Sequence, residues 1–157
     1  MNEFGIARAL HVLAVVLWIG GVAFVTTVLL PAVRRAQAPA ERLAFFDHIE
    51  RRFAWQARIT TLLAGITGFW MTHRYGLWAR FADPAFWWMH AMVLVWAIFT
   101  LMLFVLEPLV LHRGLEARNK RDPGGTFALV QGLHWVLLAL SLITVAGAVA
   151  GAHGGFH

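Results

Sequence analysis

The chain has 157 residues, of which 60% are hydrophobic and 13% charged, with a formal net charge of +5 at neutral pH. Soluble domains are usually about 45–50% apolar and about 25% charged, so this composition indicates a protein of the lipid bilayer. The absence of cysteine excludes disulfide bonds and thiolate metal sites, and leaves histidine, methionine, glutamate and aspartate as candidate ligands. No repeat or flexible linker divides the sequence, and residues 1–157 are predicted to form a single domain.

Four apolar stretches are long enough to cross a membrane, which takes about 20 mostly apolar residues. Lipid offers no partner to an unpaired backbone group, so each stretch is predicted to be a helix. The predicted fold is all-α, an integral membrane four-helix up-down bundle with helices over about 4–33, 41–73, 84–117 and 126–151. Asp-Pro pairs at 83–84 and 122–123 are start signals for the third and fourth helices.

Basic residues predict the orientation, because cytoplasmic loops carry an excess of lysine and arginine. The segments between the first and second and between the third and fourth apolar spans include the helix ends that extend beyond those spans. They hold nine basic residues: Arg34, Arg35, Arg42, Arg51, Arg52, Arg113, Arg118, Lys120 and Arg121. The opposite side holds three, Arg8, Arg74 and Arg80. Both termini are therefore predicted to face outward, to the periplasm, from a bacterial inner membrane. The positive charge follows from this topology and requires no nucleic-acid partner.

Two histidines are predicted to lie inside spans on the same side of the membrane. At about 1.5 Å per residue, His11 lies about 10 Å and His90 about 9 Å inside the outer boundary. The first and third helices are diagonal neighbours in such a bundle, so a group held between these imidazoles would occupy its centre. Because haem is commonly bound by axial histidines, we predict one b-type haem held by both residues. Alternatively, each histidine hydrogen-bonds a carbonyl or a hydroxyl on the next helix.

Small residues at the same depth could leave room for the macrocycle. Gly65 and Gly68 lie on the second helix and Gly147 on the fourth. The alternative is that such glycines only allow close helix packing, which is common in membranes. Arg74, on the outer side, could neutralise a haem propionate or be a plain surface charge.

Three further residues are weaker candidates for metal binding. His73, at the outer end of the second helix, could supply an alternative ligand or be a solvated interfacial histidine. His134 lies about 12 Å from the inner face, and for it we predict a polar contact with Glu107 or Gln131. Met92 is a soft donor that suits Cu(I), so a copper site with the two histidines stays open beside a packing role.

Two formally charged side chains lie well inside the predicted spans. They are Arg58 on the second helix and Glu107 on the third, both in the inner half. An isolated charge in lipid is expensive, so the sequence predicts an ion pair between them.

The runs ALHVLAVVLWIGGVAFVTTVLLP, ERRFAWQARITTLLAGITGFWM, WWMHAMV and LITVAGAVAG together resemble the CopD-like family of four-helix bacterial membrane proteins over nearly the whole chain. The first run is also similar to the HemJ protoporphyrinogen oxidases. The CopD resemblance implies copper transport across the inner membrane. The HemJ resemblance implies haem b bound through a helix-one histidine and oxidation of a porphyrinogen. HemJ proteins carry a helix-three lysine where this chain has Met92, which counts against that activity.

The predicted function is a membrane-embedded b-type cytochrome that passes single electrons. Its electron donor would be a quinol or another reductant in the membrane, and its acceptor could be a periplasmic redox protein. Copper transport of the CopD type and HemJ-like oxidation are the alternative functions. Whether the protein is an enzyme is left open by the sequence.

Overall fold

The structure is a computed structural model that describes residues 3–154, without the side chains of 108–112. Every regular element in the described part is helical, which confirms the all-α class. The first long helix, α1, begins as Glu3–Phe24, passes through a π-helical segment, Val25–Leu29, and ends as Leu30–Ala36. The second, α2, is an uninterrupted helix, Arg42–Arg74. Gly76, with a φ of 63°, turns the chain after α2 because a residue without Cβ adopts this left-handed conformation at little cost.

Two short 3₁₀ segments, Leu77–Ala82 and Pro84–Phe86, lead into the third long helix. This helix, α3, begins as Trp87–Leu101, continues as a π-helical segment, Met102–Leu111, and ends as His112–Arg121. The fourth, α4, is Pro123–Ala152.

Both Asp-Pro pairs act as start signals. The Asp122 carboxylate accepts the Gly125 amide at 2.9 Å, and α4 begins at the proline, as expected for a ring that fixes φ and lacks an N–H. At Asp83 the carboxylate accepts the Ala85 amide at 2.9 Å, but one 3₁₀ turn precedes α3.

Three helices are long and apolar enough to cross a membrane, Glu3–Ala36, Pro84–Glu107 and Pro123–Ala152. The sequence predicted four spans, and among the described residues α2 does not meet this criterion. Its 33 residues are sufficient in length, but its central part contains Gln56, Arg58 and several threonines. The difference between α2 and the other helices is therefore one of composition.

The four long helices pack side by side, with α1 and α3 each lying against α2 and α4. His11 of α1 contacts Ala64 of α2, and Leu17, further along α1, contacts Gln56, which lies earlier in α2. The two helices are therefore antiparallel and lie side by side at both levels. Trp96 of α3 contacts Thr61, at the same level of α2 as the His11 contact.

Two apolar clusters form the interior. The larger joins all four helices in the middle of the bundle, with Ala14, Trp18, Ile19, Val22, Ala64, Val95, Phe99, Leu137 and Leu138. The other lies at the end of the bundle away from Glu3 and Ala152, with Val25, Leu30, Val33, Leu43, Phe46, Phe127 and Val130. The names inner end for this end and outer end for the opposite one follow the predicted orientation. The polar side chains that are candidates for function, His11, Arg58 and Glu107 among them, lie between and beside these clusters.

Candidate functional site

The His11 imidazole is half-buried between α1 and α2. Its Nδ1 lies 2.9 Å from the Ala64 carbonyl oxygen and 3.1 Å from the Thr67 hydroxyl. A carbonyl oxygen can only accept, so Nδ1 carries the proton and donates it. In the neutral ring Nε2 then holds a lone pair, and the described contacts give this atom no partner.

This geometry agrees with two of the interpretations made from the sequence. A hydrogen bond to a carbonyl and a hydroxyl on the next helix is the packing role expected for a membrane histidine. The same bond is what a metal-ligating histidine usually makes with its second nitrogen, because it fixes the tautomer and the ring orientation. The His11 ring therefore has the tautomer and orientation of a metal-ligating histidine, and the same geometry serves packing.

The structure does not bring His90 to His11. The His90 side chain is exposed and its ring meets Phe81 edge-on, with 5.1 Å between centroids. Trp96 lies level with His11, because both contact α2 between Thr61 and Thr67. His90 precedes Trp96 by six residues, which places it about 9 Å nearer the outer end at 1.5 Å per residue.

Tryptophan indoles cover Gly65 and Gly147, two of the three glycines that were predicted to make room for a macrocycle, and also Gly151. A Cβ at Gly65 would lie 2.6 Å from the nearest indole atom, and one at Gly147 would lie 2.5 Å away. The pairs are Gly65 with Trp96, Gly147 with Trp87 and Gly151 with Trp88. In this structure the glycines allow close packing of indoles, and a haem held by both His11 and His90 stays a prediction.

The ring of His11 itself covers Gly68. A Cβ at Gly68 would lie 3.2 Å from His11 Cε1, so the glycine admits the imidazole rather than a larger guest. Beside this contact, an apolar groove of about 280 Å³ opens between the outer halves of α1 and α2. Its lining comprises Glu3, Ile6, Ala7, Leu10, Ile66, Thr67 and Trp70. Because Thr67 also touches His11, the groove adjoins the imidazole.

The weaker candidate ligands are separate from this site. His73 and Arg74 are exposed, and the Arg74 guanidinium lies 5.9 Å from the Tyr75 ring. Met92 is half-buried on α3. Within the described part of the chain, no three histidine, aspartate or glutamate side chains form a group that could hold a metal ion.

The contact predicted for His134 is wrong. Its Nδ1 lies 2.9 Å from the Val130 carbonyl oxygen, one turn earlier in α4. Gln131 instead accepts a hydrogen bond from Arg34 at 3.4 Å. A histidine can thus donate a hydrogen bond to a carbonyl of its own helix. Its presence in an apolar run did not require a polar side chain on a neighbouring helix.

The predicted ion pair between Arg58 and Glu107 is confirmed. Arg58 Nη2 lies 3.0 Å from Glu107 Oε1, and Arg58 Nε donates to the Leu103 carbonyl at 3.2 Å. The second bond has a backbone cause in the π-helical segment of α3. In an i→i+5 pattern the Leu103 carbonyl would accept from residue 108, and Pro108 has no N–H to donate. Arg58 satisfies this carbonyl instead.

Glu50, which was not among the residues predicted from the sequence, lies near this pair. Burial, together with the carboxylates of Glu107 and Asp47, raises the pKa of Glu50 to about 7, and Arg58 opposes the shift. The available signal was the helical spacing of Asp47, Glu50 and Arg58, which places them on one side of α2. Near pH 7 this carboxyl therefore changes its protonation state at the inner end of α2.

Comparison with protein families, curated proteins and solved structures finds no match for this chain. The functional proposal therefore depends on the residues and contacts of the chain itself.

Proposed function

We propose that the protein is a membrane-embedded b-type cytochrome that binds one haem b through His11 and transfers electrons. It would cross the inner membrane four times, as an up-down bundle with both termini outside. The observation that supports haem binding is the His11 ring. Its Nδ1–H is bonded to the Ala64 carbonyl, which leaves the Nε2 lone pair for iron.

The proposal uses one histidine, whereas the sequence suggested two. His90 is left out because its side chain is exposed beside Phe81. When bound, haem iron supplies one-electron redox chemistry. The contribution of the chain is to orient the imidazole through Ala64 and Thr67 and to offer an adjoining apolar groove.

Four crossings are supported by the position of α2 along α1. The contacts of Gln56 with Leu17 and of Ala64 with His11 lie within the apolar part of α1. A helix that lay flat on the membrane surface could not touch α1 at both levels. We therefore place α2 across the bilayer, with its polar groups directed at neighbouring helices instead of lipid.

The test of haem binding is the absorption spectrum of the protein purified in detergent. We expect a Soret band and a sharp alpha band in the reduced-minus-oxidised spectrum, and both should be lost in His11→Ala. Added imidazole should restore them if the variant is folded. His134→Ala is the matched control, because His134 makes the same kind of Nδ1 bond to a carbonyl but should keep full haem.

A second arm of this experiment tests the number of ligands. If His11 is the protein ligand and His90 is not, the reduced protein should bind carbon monoxide, and His90→Ala should retain the haem. Loss of haem in His90→Ala would restore the two-histidine arrangement and contradict ours. A colourless protein that binds copper, or full haem in His11→Ala, would refute the cytochrome proposal.

A further inference from the structure

Three polar atoms in the middle of the molecule are buried without a hydrogen-bond partner among the described residues. They are Trp18 Nε1, Thr61 Oγ1 and Thr100 Oγ1. The Trp18 side chain is 4% exposed and Thr61 is fully buried. In lipid no solvent can satisfy such groups from outside, so each unpaired atom carries a large desolvation cost.

The two threonines also differ from the other hydroxyls in these helices. Buried threonine and serine hydroxyls here usually donate to the carbonyl four residues earlier, as seen at Thr26, Thr60, Thr67, Thr72, Thr126, Ser141 and Thr144. Thr61 and Thr100 do not use this local acceptor. Their hydroxyls are therefore available to a partner outside their own helix.

Helical spacing places Thr61 and Thr100 on the sides of α2 and α3 that meet, and Trp96 of α3 covers Gly65, four residues after Thr61. On the outer side of Thr100, Trp96 Nε1 donates to the Thr61 carbonyl at 3.0 Å. On its inner side, the Leu103 carbonyl accepts from Arg58 at 3.2 Å. Positions 96, 100 and 103 follow the helical spacing of four and three, so all lie on the face of α3 that meets α2.

Trp18 approaches this region from α1. Its ring meets Phe99, the neighbour of Thr100, edge-on with 4.9 Å between centroids. The preceding residue, Leu17, accepts a hydrogen bond from Gln56 of α2 at 3.3 Å, which places this turn of α1 beside the part of α2 that precedes Thr61. The three unpaired atoms thus come from three helices that pack together in the larger apolar cluster, to which Trp18, Ala64 and Phe99 belong.

We propose that Trp18, Thr61 and Thr100 together bind ordered water in the middle of the membrane, between α1, α2 and α3. The indole N–H can only donate, and the hydroxyls can both donate and accept. Water satisfies both kinds of group and typically makes about three hydrogen bonds when buried. The enclosure of Trp18 and Thr61 favours a guest of this size over a lipid or a quinone. This site does not depend on haem binding.

The first test reads the hydrogen bond of the Trp18 indole by ultraviolet resonance Raman spectroscopy in lipid nanodiscs. Subtracting the spectrum of Trp18→Phe from that of the parent isolates the N–H marker band of Trp18, which should lie at the position of a hydrogen-bonded indole. The band isolated in the same way with Trp96→Phe is the reference, because the Trp96 N–H donates to the Thr61 carbonyl. A component at the position of a free N–H would overturn the proposal.

The second test removes the hydroxyls with Thr61→Val and Thr100→Val. Both should move the Trp18 band toward the free position and lower the melting temperature, by roughly 2–4 °C if one hydrogen bond's worth of stability is lost. Thr26→Val is the control, because its buried hydroxyl is satisfied by the Val22 carbonyl at 2.7 Å and it should leave the Trp18 band unchanged. Dry, unpaired hydroxyls would give the opposite result, since valine would then raise the melting temperature.

Discussion

Gly65 illustrates how a single missing side chain determines the spacing of two helices. The Trp96 indole lies over this glycine and is fixed there by its bond to the Thr61 carbonyl and by an edge contact with Phe69, with 5.4 Å between centroids. A ring held by two partners cannot move away at small cost. Close approach of α2 and α3 therefore requires glycine at this position.

We expect Gly65→Ala to destabilise the protein by about 1–3 kcal/mol, the usual cost of overpacking. The new methyl group would lie 2.6 Å from Trp96 Nε1. Gly20→Ala is the matched control, because nothing lies within 4 Å of a Cβ at that position of α1, and it should be neutral or slightly stabilising. The free energy of unfolding from SDS titration in mixed micelles measures both, and equal values for the two variants would contradict the packing role of Gly65.

Glu50 makes stability depend on pH. Its pKa is raised from 4.5 to about 7 in the folded protein by burial, Glu107 and Asp47, so the folded state binds the proton more tightly than the unfolded state does. Stability should therefore decrease as the pH rises from about 4.5 to about 7, and remain at the lower value above.

The melting temperature at pH 5 and at pH 8 measures this effect. Glu50→Gln should be more stable than the parent at pH 8 and should show a smaller decrease between the two values. Glu41→Gln, at the exposed start of α2, should retain the decrease of the parent. If Glu50→Gln keeps it too, another group is responsible.

The π-helical part of α3 shows how one element depends on a side chain from another. Pro108 cannot donate to the Leu103 carbonyl, and Arg58 of α2 donates to it instead while pairing with Glu107. Arg58 thus stabilises both a charge and a backbone group. Pro108 is visible in the sequence, but the π-helical register and the carbonyl that it exposes are not.

Arg58→Leu should consequently cost more than Glu107→Gln, because only the arginine variant leaves the Leu103 carbonyl without its donor. We expect a difference of about 1–3 kcal/mol in the free energy of unfolding, the penalty of one unsatisfied buried polar group. Arg52→Leu, at an exposed position of the same helix, is the control and should change stability little. A larger loss in Glu107→Gln would mean that the charge pair outweighs the backbone contact.

At the scale of the whole molecule, the number of crossings fixes where the two termini lie. Four crossings place both on the same side, whereas three, with α2 at the surface, would place them on opposite sides. The chain has no cysteine, so single cysteines can be labelled without background in intact cells. We expect an impermeant maleimide to label Gly5→Cys and Gly154→Cys but not Gly114→Cys, and labelling at only one of the two termini would exclude the four-span topology.

Much of the fold follows from patterns that the sequence displays openly. Apolar length and the Asp122-Pro123 signal predicted the helices, and the isolation of Arg58 and Glu107 in apolar surroundings predicted their contact. The candidate site was less accessible, because depth along a helix was inferred but rotation about its axis was not. The sequence predicts that His90 lies within a span, but it does not predict which face of α3 is turned toward the other helices. The packing of tryptophans on Gly65 and Gly147 decides this, and it leaves His90 exposed.

The composition of α2 has a consequence for biogenesis. This helix is less apolar than the other three, and a nascent segment of such composition does not readily leave the translocon for lipid alone. Its Gln56 bonds Leu17 of α1, and its Arg58 bonds Leu103 of α3. We expect it to enter the bilayer as a hairpin with α1, retained beside the insertion machinery until α3 has been synthesised. The order of synthesis is then a condition for assembly.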